Sequence, residues 1–162
     1  MMGRFVIEQG FNERDREAIV ALLREYWASL GVAGEFQNFD TEVADLPGAY
    51  VPPEGQMLFL RDTSDNALVG SVALRPVAGV PDMCEMKRLY LRPAARGRGL
   101  GRHLAVAAMD EARHLGYRRM FLDTLPTLVE AQALYLSLGF RQVGTAGSDP
   151  VVVLFERDLG PP

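Results

Sequence analysis

The sequence predicts an α+β (mixed α/β) domain built around one mixed sheet, and three observations carry that prediction. Segments of helical period are interspersed with one long run of adjacent strand-like segments, giving the order β-α-α-β-β-β-α-β-α-β-β, which a doubly wound parallel sheet would not show. The 162 residues suit a single domain, residues 1–162, able to bury roughly two-thirds of its unfolded surface. Hydrophobic residues make up 48% and charged residues 23%, the balance of a folded domain rather than a disordered chain.

Taken in order, "RFVIEQ" reads as the first strand, and Asn12 as the cap of the helix that follows, with Asp15 three residues on. Ile19, Leu22, Leu23, Tyr26, Trp27 and Leu30 recur at helical spacing until Gly31 and Gly34 end the run. Asp40 is positioned to cap a short helix over Thr41 to Leu46, after which Pro47-Gly48 and Pro52-Pro53 force a loop. "MLFLRD" and "ALVGSVALRP" flank the turn residues "TSDN" and read as an antiparallel hairpin, followed by the strand "MCEMKRLYL", which Arg92-Pro93 stops. From Gly99 to Leu115 the pattern is helical, with Leu100, Leu104, Ala108 and Leu115 on one face and Gly116 as the stop. "YRRMFLDT" is a strand and "TLVEAQALYLSLG" a helix ended by Gly139. "FRQVGT" and "VVVLFERDL" close the chain as strands.

The net charge of −4 gives no general attraction to nucleic acid or to an anionic membrane. A single cysteine, Cys84, cannot form an internal disulfide and points to a reducing compartment. No basic segment followed by an apolar run marks a leader, and no apolar stretch approaches about 20 residues. A cytoplasmic protein is therefore expected.

The chemistry concentrates in "RLYLRPAARGRGLGRHL". Its glycines, Gly97, Gly99 and Gly101, lack the further glycine at position 102 that a dinucleotide fingerprint needs, although Asp123 lies near the place of that motif's acidic residue. The Gly-Lys-Ser/Thr of a Walker loop is also absent. What remains is a strand, a turn, a glycine-rich segment and a helix start. The first turn of a helix leaves N–H groups unpaired, and glycines let an anion approach them closely. Arg96, Arg98 and Arg102 oppose the helix macrodipole there by roughly 0.3–1 kcal/mol each, so helix stability alone would not select them. An anion site, phosphate above all, is the expected use. No second basic stripe continues the patch, which argues against nucleic acid.

These residues carry a family resemblance. "RGRGLG" at Arg96–Gly101 resembles the Q/R-x-x-G-x-G/A signature of the GCN5-related N-acetyltransferases (GNAT), and the likeness extends through "CEMKRLYLRPAARGRGLGRHL", "GYRRMFLDT" and "AQALYLSLGF". The resemblance implies a central, mostly antiparallel twisted sheet of six to seven strands with about four helices, splayed between the fourth and fifth strands. It implies acetyl-coenzyme A as acyl donor, an amine as acceptor, no metal, and the pyrophosphate held by Arg96, Gly97, Arg98, Gly99, Leu100, Gly101 and Arg102. It further implies that Leu89 and Leu91 lend backbone groups to the pantetheine arm, with the Leu89 N–H donating to the thioester oxygen. Tyr135 in "ALYLSLGF" is implied at the coenzyme A sulfur, and Leu128 stands where many members carry an asparagine that contacts the cofactor.

Acetyl transfer to an amine needs a proton removed from a group of pKa about 10.4, a donor for the carbonyl oxygen and an acid for the thiolate. Glu85 is the candidate base, eleven residues before Arg96, the offset at which histone-type members place theirs. Strict alternation would put Glu85, Lys87, Leu89 and Leu91 on one strand face and Met86, Arg88 and Tyr90 on the other. The bland reading of Glu85 is an ion pair with Lys87 or a nearby arginine, and that of Tyr135 is packing beside Leu134 and Leu138. His103 and His114, eleven apart on one helix without partners at ligand spacing, do not read as a metal site. Cys84 should face away from Glu85 as a small buried hydrophobe rather than serve as an acetylated intermediate. No G-x-S-x-G elbow supports a serine hydrolase.

The acceptor side rests on "EFQNF" and "AYVPP", where Phe36, Phe39 and Tyr50 would line a cleft and Gln37 or Asn38 would orient a polar group; packing under a loop explains the aromatics equally well. Arg75, Lys87 and Arg88 would meet a carboxylate on the acceptor. The expectation is an acetyl-CoA-dependent transferase acting on a primary amine of a small molecule or peptide by direct attack in a ternary complex, as monomer or homodimer. The alternative is a non-catalytic acyl-CoA sensor that kept the loop and lost the reaction.

Overall fold

The expected element order is found in a computed structural model of the chain, which describes residues 3–32 and 38–161. Strand β1 (Phe5–Gln9) leads through a 3-10 turn into helix α1 (Arg16–Ser29), and α2 (Phe39–Ala44) precedes the hairpin of β2 (Gln56–Asp62) and β3 (Ala67–Val77). Then follow β4 (Val80–Leu91), α3 (Leu100–His114), β5 (Arg119–Thr124), α4 (Val129–Ser137), β6 (Arg141–Ala146) and β7 (Val152–Asp158). The seven strands form one sheet in the order β1-β2-β3-β4-β5-β7-β6. All neighbours are antiparallel except β4 and β5. Among the described residues no helix is long and apolar enough to cross a membrane.

Two helix starts differ from the sequence reading. Asn12 Oδ1 accepts from the Arg14 N–H at 3.1 Å, so it caps the 3-10 turn ahead of α1 rather than α1 itself. Helix α2 begins at Phe39 behind Asn38 in the left-handed region, and Asp40 is not its cap; the Asp40 carboxylate instead accepts from Arg24 at 2.9 Å. Gly31 follows α1 with φ 66°, while Gly34 lies outside the described residues.

The sheet separates two cores. On one side α3 contributes Leu100, Leu104, Ala105, Ala108, Met109 and Ala112, spaced to form one apolar face, against Leu58, Val72, Met86 and Met120 of the strands. Gly70 lets this helix come close: a Cβ there would stand 2.7 Å from Leu91 Cδ2 and 3.1 Å from Leu104 Cδ1. On the other side Ile19, Leu22 and Leu23 of α1 and Phe39 and Val43 of α2 pack on Met57, Phe59, Leu68 and Ala73.

Two irregularities of β4 build the site. First, its pairing with β5 covers only Met83–Glu85 against Arg119–Phe121. Beyond Glu85, among the described residues, the edge of β4 that faces β5 has no strand partner, so the sheet opens there. Second, the register with β3 shifts between Ala73↔Lys87 and Ser71↔Tyr90, and Arg88 sits at φ 61° in the resulting bulge. Ser71 Oγ donates to the Arg88 carbonyl at 2.8 Å and satisfies a group the ladder has dropped. The bulge corrects the face assignment expected from alternation. Glu85 and Lys87 face the α1–α2 side and Arg88 joins them, whereas Leu89 and Leu91 turn to the α3 core with Met86.

Arg88 is 2% exposed. Its Nε and Nη2 each donate to Glu42 at 2.8 Å, and Tyr50 Oη donates to the same carboxylate at 2.9 Å. The guanidinium lies 5.3 Å from the Phe39 ring and 5.7 Å from Trp27, which stack on each other at 4.4 Å. Burial works to raise the Glu42 pKa, but the hydrogen bonds and charge of Arg88, helped by Tyr50, outweigh it and hold the carboxyl below its ordinary value of 4.5. Removing one partner of a buried pair costs about 3–5 kcal/mol. Glu42→Gln should therefore lower the melting temperature by roughly 6–20 °C for a chain of this size. Since the folded pKa is depressed, this contribution is complete above the unfolded value and is lost as pH falls through the folded one. Melting curves across acid pH should show the gap between wild type and Glu42→Gln narrowing below the ordinary carboxylate range.

Candidate functional site

Where β4 and β5 part, three spaces adjoin one another. A groove of about 440 Å³ runs along the end of β4 and the start of α4, lined by Leu89, Tyr90, Leu91, Arg96, Leu128 and Ala131 among others. A slot of about 60 Å³ lies in the opening itself, between Met86–Leu89 on one side and Asp123–Leu125 on the other, with Tyr135 reaching it from α4. A cleft of about 410 Å³ lies on the α2 side, lined by Asn38, Glu42, Tyr50, Arg75 and Glu85. Leu89 is shared by groove and slot, and Lys87 and Asp123 by slot and cleft, so the three spaces adjoin in series along the strand opening, a passage that Tyr26 of α1 and Leu30 at its end also border.

At the groove's outer end Gly97 (φ 79°) and Gly99 (φ 73°) shape the approach to α3, and a Cβ at either would meet nothing within 4 Å. The first bond of the helix is His103 N–H to the Gly99 carbonyl. The N–H groups of Leu100, Gly101 and Arg102 therefore have no acceptor within the helix, and the space over the glycines is open to a ligand. The arginine side chains of this loop do not gather at one point. Arg96 donates from Nε to the Leu91 carbonyl at 3.0 Å and lies over Tyr90. Arg98 leans over Phe5 of β1, and Arg102 donates to Ser137 Oγ of α4 at 2.8 Å. The donors without a helix acceptor here are main-chain N–H groups, while the arginine side chains are engaged elsewhere.

Tyr135 is buried between Phe140 and Phe155, edge-on to Phe140. Among the described residues its hydroxyl has no hydrogen-bond partner, and no buried side-chain oxygen or nitrogen is left unpaired, so the hydroxyl is open to the slot. Burial pushes its pKa well above the ordinary tyrosine value, which keeps the hydroxyl protonated across neutral pH. Leu128, the departure from the resembled pattern, lines both slot and groove. One turn on, Gln132 Nε2 donates to the Leu125 and Pro126 carbonyls at 3.2 Å and braces the turn between β5 and α4.

The cleft floor is a row of alternating charge. Arg75 Nε donates to Glu85 Oε1 at 3.0 Å, Lys87 Nζ lies 3.8 Å from Glu85 Oε2, and the same Nζ lies 3.8 Å from Asp123 Oδ1. Glu85 thus makes both of the ion pairs its bland reading anticipates, on a side chain 12% exposed at the cleft wall. Burial pushes the Lys87 pKa down, against the pull of Glu85 and Asp123 upward.

Among the expected acceptor residues, Tyr50 and Lys87 line the cleft. Phe39 does not: it is 1% exposed, stacked on Trp27 inside the core, because a six-residue helix needs an apolar anchor to dock at all. Phe36 and Gln37 lie outside the described residues. Arg88 is closed off by Glu42 and so offers no fork to a ligand. Glu42 and the cleft role of Asp123 escaped sequence reasoning. Glu42 lies 46 residues from Arg88 on a helix too short to show a period, so no local signal marks it. Among the described residues no three His, Cys, Asp or Glu side chains gather as a metal site.

The acetyltransferase (GNAT) family model matches residues 17–140. An uncharacterized N-acetyltransferase of Schizosaccharomyces pombe is 42% identical over 138 residues, covering 85% of this chain and 83% of its own length. The uncharacterized N-acetyltransferase YjgM of Escherichia coli is 33% identical over 136 residues, covering 82% and 80%. Salmonella typhimurium yncA, solved with its cofactor acetyl-CoA, shares the fold with a TM-score of 0.76 at 22% identity, over 97% of this chain and 95% of that one. The chain belongs to the acetyltransferase (GNAT) family, and its class is that of an N-acetyltransferase.

Cys84 is wholly buried on the α3 side, opposite to Glu85, and burial pushes its thiol up to about 12. A thiolate nucleophile is not available there. A chromogenic thiol reagent should leave the native protein unlabelled for hours and titrate one thiol per chain in denaturant; rapid labelling of the native state would show Cys84 to be accessible.

Proposed function

We propose that the protein transfers an acetyl group from acetyl-CoA to a primary amine of a small molecule or peptide, by direct attack in a ternary complex. The observation that carries this reading is the single passage in which Leu89 joins groove to slot and Lys87 and Asp123 join slot to cleft. Donor and acceptor then enter from the two ends of this series and meet at the slot where the strands part. The chemistry of the lining fits the donor: helix-start N–H groups without an acceptor in the helix and open glycines suit a pyrophosphate, and the edge of β4 that β5 leaves at Leu89 and Leu91, where Arg96 donates to the Leu91 carbonyl, suits the amide-bearing pantetheine arm.

Glu85 takes a proton from the incoming ammonium, directly or through water, and leaves the nitrogen lone pair free to attack. The Leu89 N–H donates to the carbonyl oxygen as negative charge develops on it. As the C–N bond forms and the C–S bond breaks, Tyr135 gives its proton to the departing sulfur. It is reprotonated by the second proton shed from nitrogen, so one proton is released overall. Acetyl-CoA supplies the activated thioester; the chain supplies alignment, a hydrogen-bond donor and the two proton-handling groups.

The test is thiol release from acetyl-CoA across a broad amine panel. Tyr135→Phe and Glu85→Gln should each lower kcat by about 100-fold with an accepted amine. Full turnover in both variants would remove these residues from the mechanism while the family membership stood. Tight acetyl-CoA binding by calorimetry with no thiol release for any amine would favour a sensor that binds the donor without reacting it.

A further inference from the structure

We propose that the acceptor carries a carboxylate beside its reactive amine, as an amino acid or close homologue does, and that Arg75 selects it. This rests on the cleft serving the acetyl transfer described above.

Among the described residues three cations border the slot and cleft, and their commitments differ. Arg88 has two of its nitrogens closed by Glu42 in a buried pair. Lys87, its side chain 4% exposed, lies between Glu85 and Asp123 at 3.8 Å from each. Arg75 is another case. It donates to Glu85 only through Nε, on a side chain 36% exposed at the cleft. Among the described residues its two terminal nitrogens have no acceptor, and since no buried nitrogen is left unpaired they are open to the cleft. A guanidinium held by Nε keeps a terminal N–H pair in one plane and fixed direction, the geometry that receives a carboxylate bidentately. Arg75 is also rigidly set, since it stands opposite Glu85 in the β3–β4 ladder.

The order of charges gives the acceptor its orientation. Arg75 and Glu85 border the cleft alone, whereas Lys87 and Asp123 border both cleft and slot. The cation with open donors therefore lies at the end away from the slot, and carboxylates lie between it and the reacting carbon. A zwitterion fits with its ammonium toward Glu85 and Asp123 and its carboxylate on Arg75. Glu42 is neutralised by Arg88 and does not oppose this; Asp45, at the mouth, is exposed and solvated. A diamine or polyamine would bring its second ammonium against the Arg75 guanidinium, so the site disfavours such acceptors by repulsion as well as by lack of contact.

The experiment compares kcat/KM, with acetyl-CoA as donor, for α- and β-amino acids, their carboxamides, and diamines of matched length. The wild type should prefer amino acids over their carboxamides by about 10- to 100-fold, the scale of a charge-assisted pair. Arg75→Gln should bring that ratio near one, and Arg75→Lys should restore part of it. Because the ratio compares two acceptors on one enzyme, a general disturbance of Glu85 cancels from it. If Arg75→Gln does not fold, the wild-type ratio and the lysine variant decide. Wild-type carboxamides or diamines as good as amino acids, or a ratio unchanged in Arg75→Gln, would overturn the selection and leave acetyl transfer standing. Retained acetyl-CoA binding with no acceptor turned over would overturn the enzymatic reading and this inference with it.

Discussion

The contact between Arg88 and Glu42 joins two parts of the molecule that neither could hold alone. A guanidinium removed from water needs a counter-charge, and a non-glycine residue at positive φ needs its surroundings to hold it there. Glu42 supplies the charge, and the Trp27–Phe39 stack encloses it. The dependence runs the other way as well. Six residues of α2 would not persist as an isolated helix, and Phe39 and Glu42 are what fasten it to the sheet. The bulge that turns Leu89 toward the α3 side and the helix that walls the cleft are therefore one structural unit.

The second constraint is the brevity of the parallel pairing. Three residues of β4 meet β5, and the rest of the strand continues without a strand neighbour on that edge among the described residues. Ordinarily such an edge is a liability, open to pairing with any extended chain. Here the opening is enclosed by Tyr135, Leu128 and Leu125, so that only a narrow ligand can use it. The loop before α3 stands at one end of the opening and the charged row at the other, so in the proposed reaction pyrophosphate binding and proton handling would fall at opposite ends.

Much of this was legible in the sequence because it depends on local pattern. Element order, the glycine turn before α3 and the apolar face of α3 follow from spacing, and the burial of Cys84 from its place on a core strand. The alternation of β4 was misread because one residue in the left-handed region inverts every face beyond it, and arginine is not a residue that announces such a turn. Phe39 stood equally between cleft and packing because an aromatic in a polar loop looks alike whether it serves a ligand or anchors a helix; only its stack on Trp27 decides. Arg75, Lys87 and Arg88 were equivalent as letters. They became distinct when their partners, brought together from β3, β4, β5 and α2, could be counted.

The passage is built asymmetrically. Its groove end offers main-chain groups of β4 and the start of α3, fixed by strand and loop geometry whatever side chains the residues carry, while the charged groups of its cleft end are all side chains. A single nucleotide change can rewrite a side chain and cannot rewrite a peptide group. Descendants of such a scaffold can thus diverge quickly in what they modify while remaining tied to one donor, and gene duplication followed by a few substitutions around the cleft would suffice to create a new specificity.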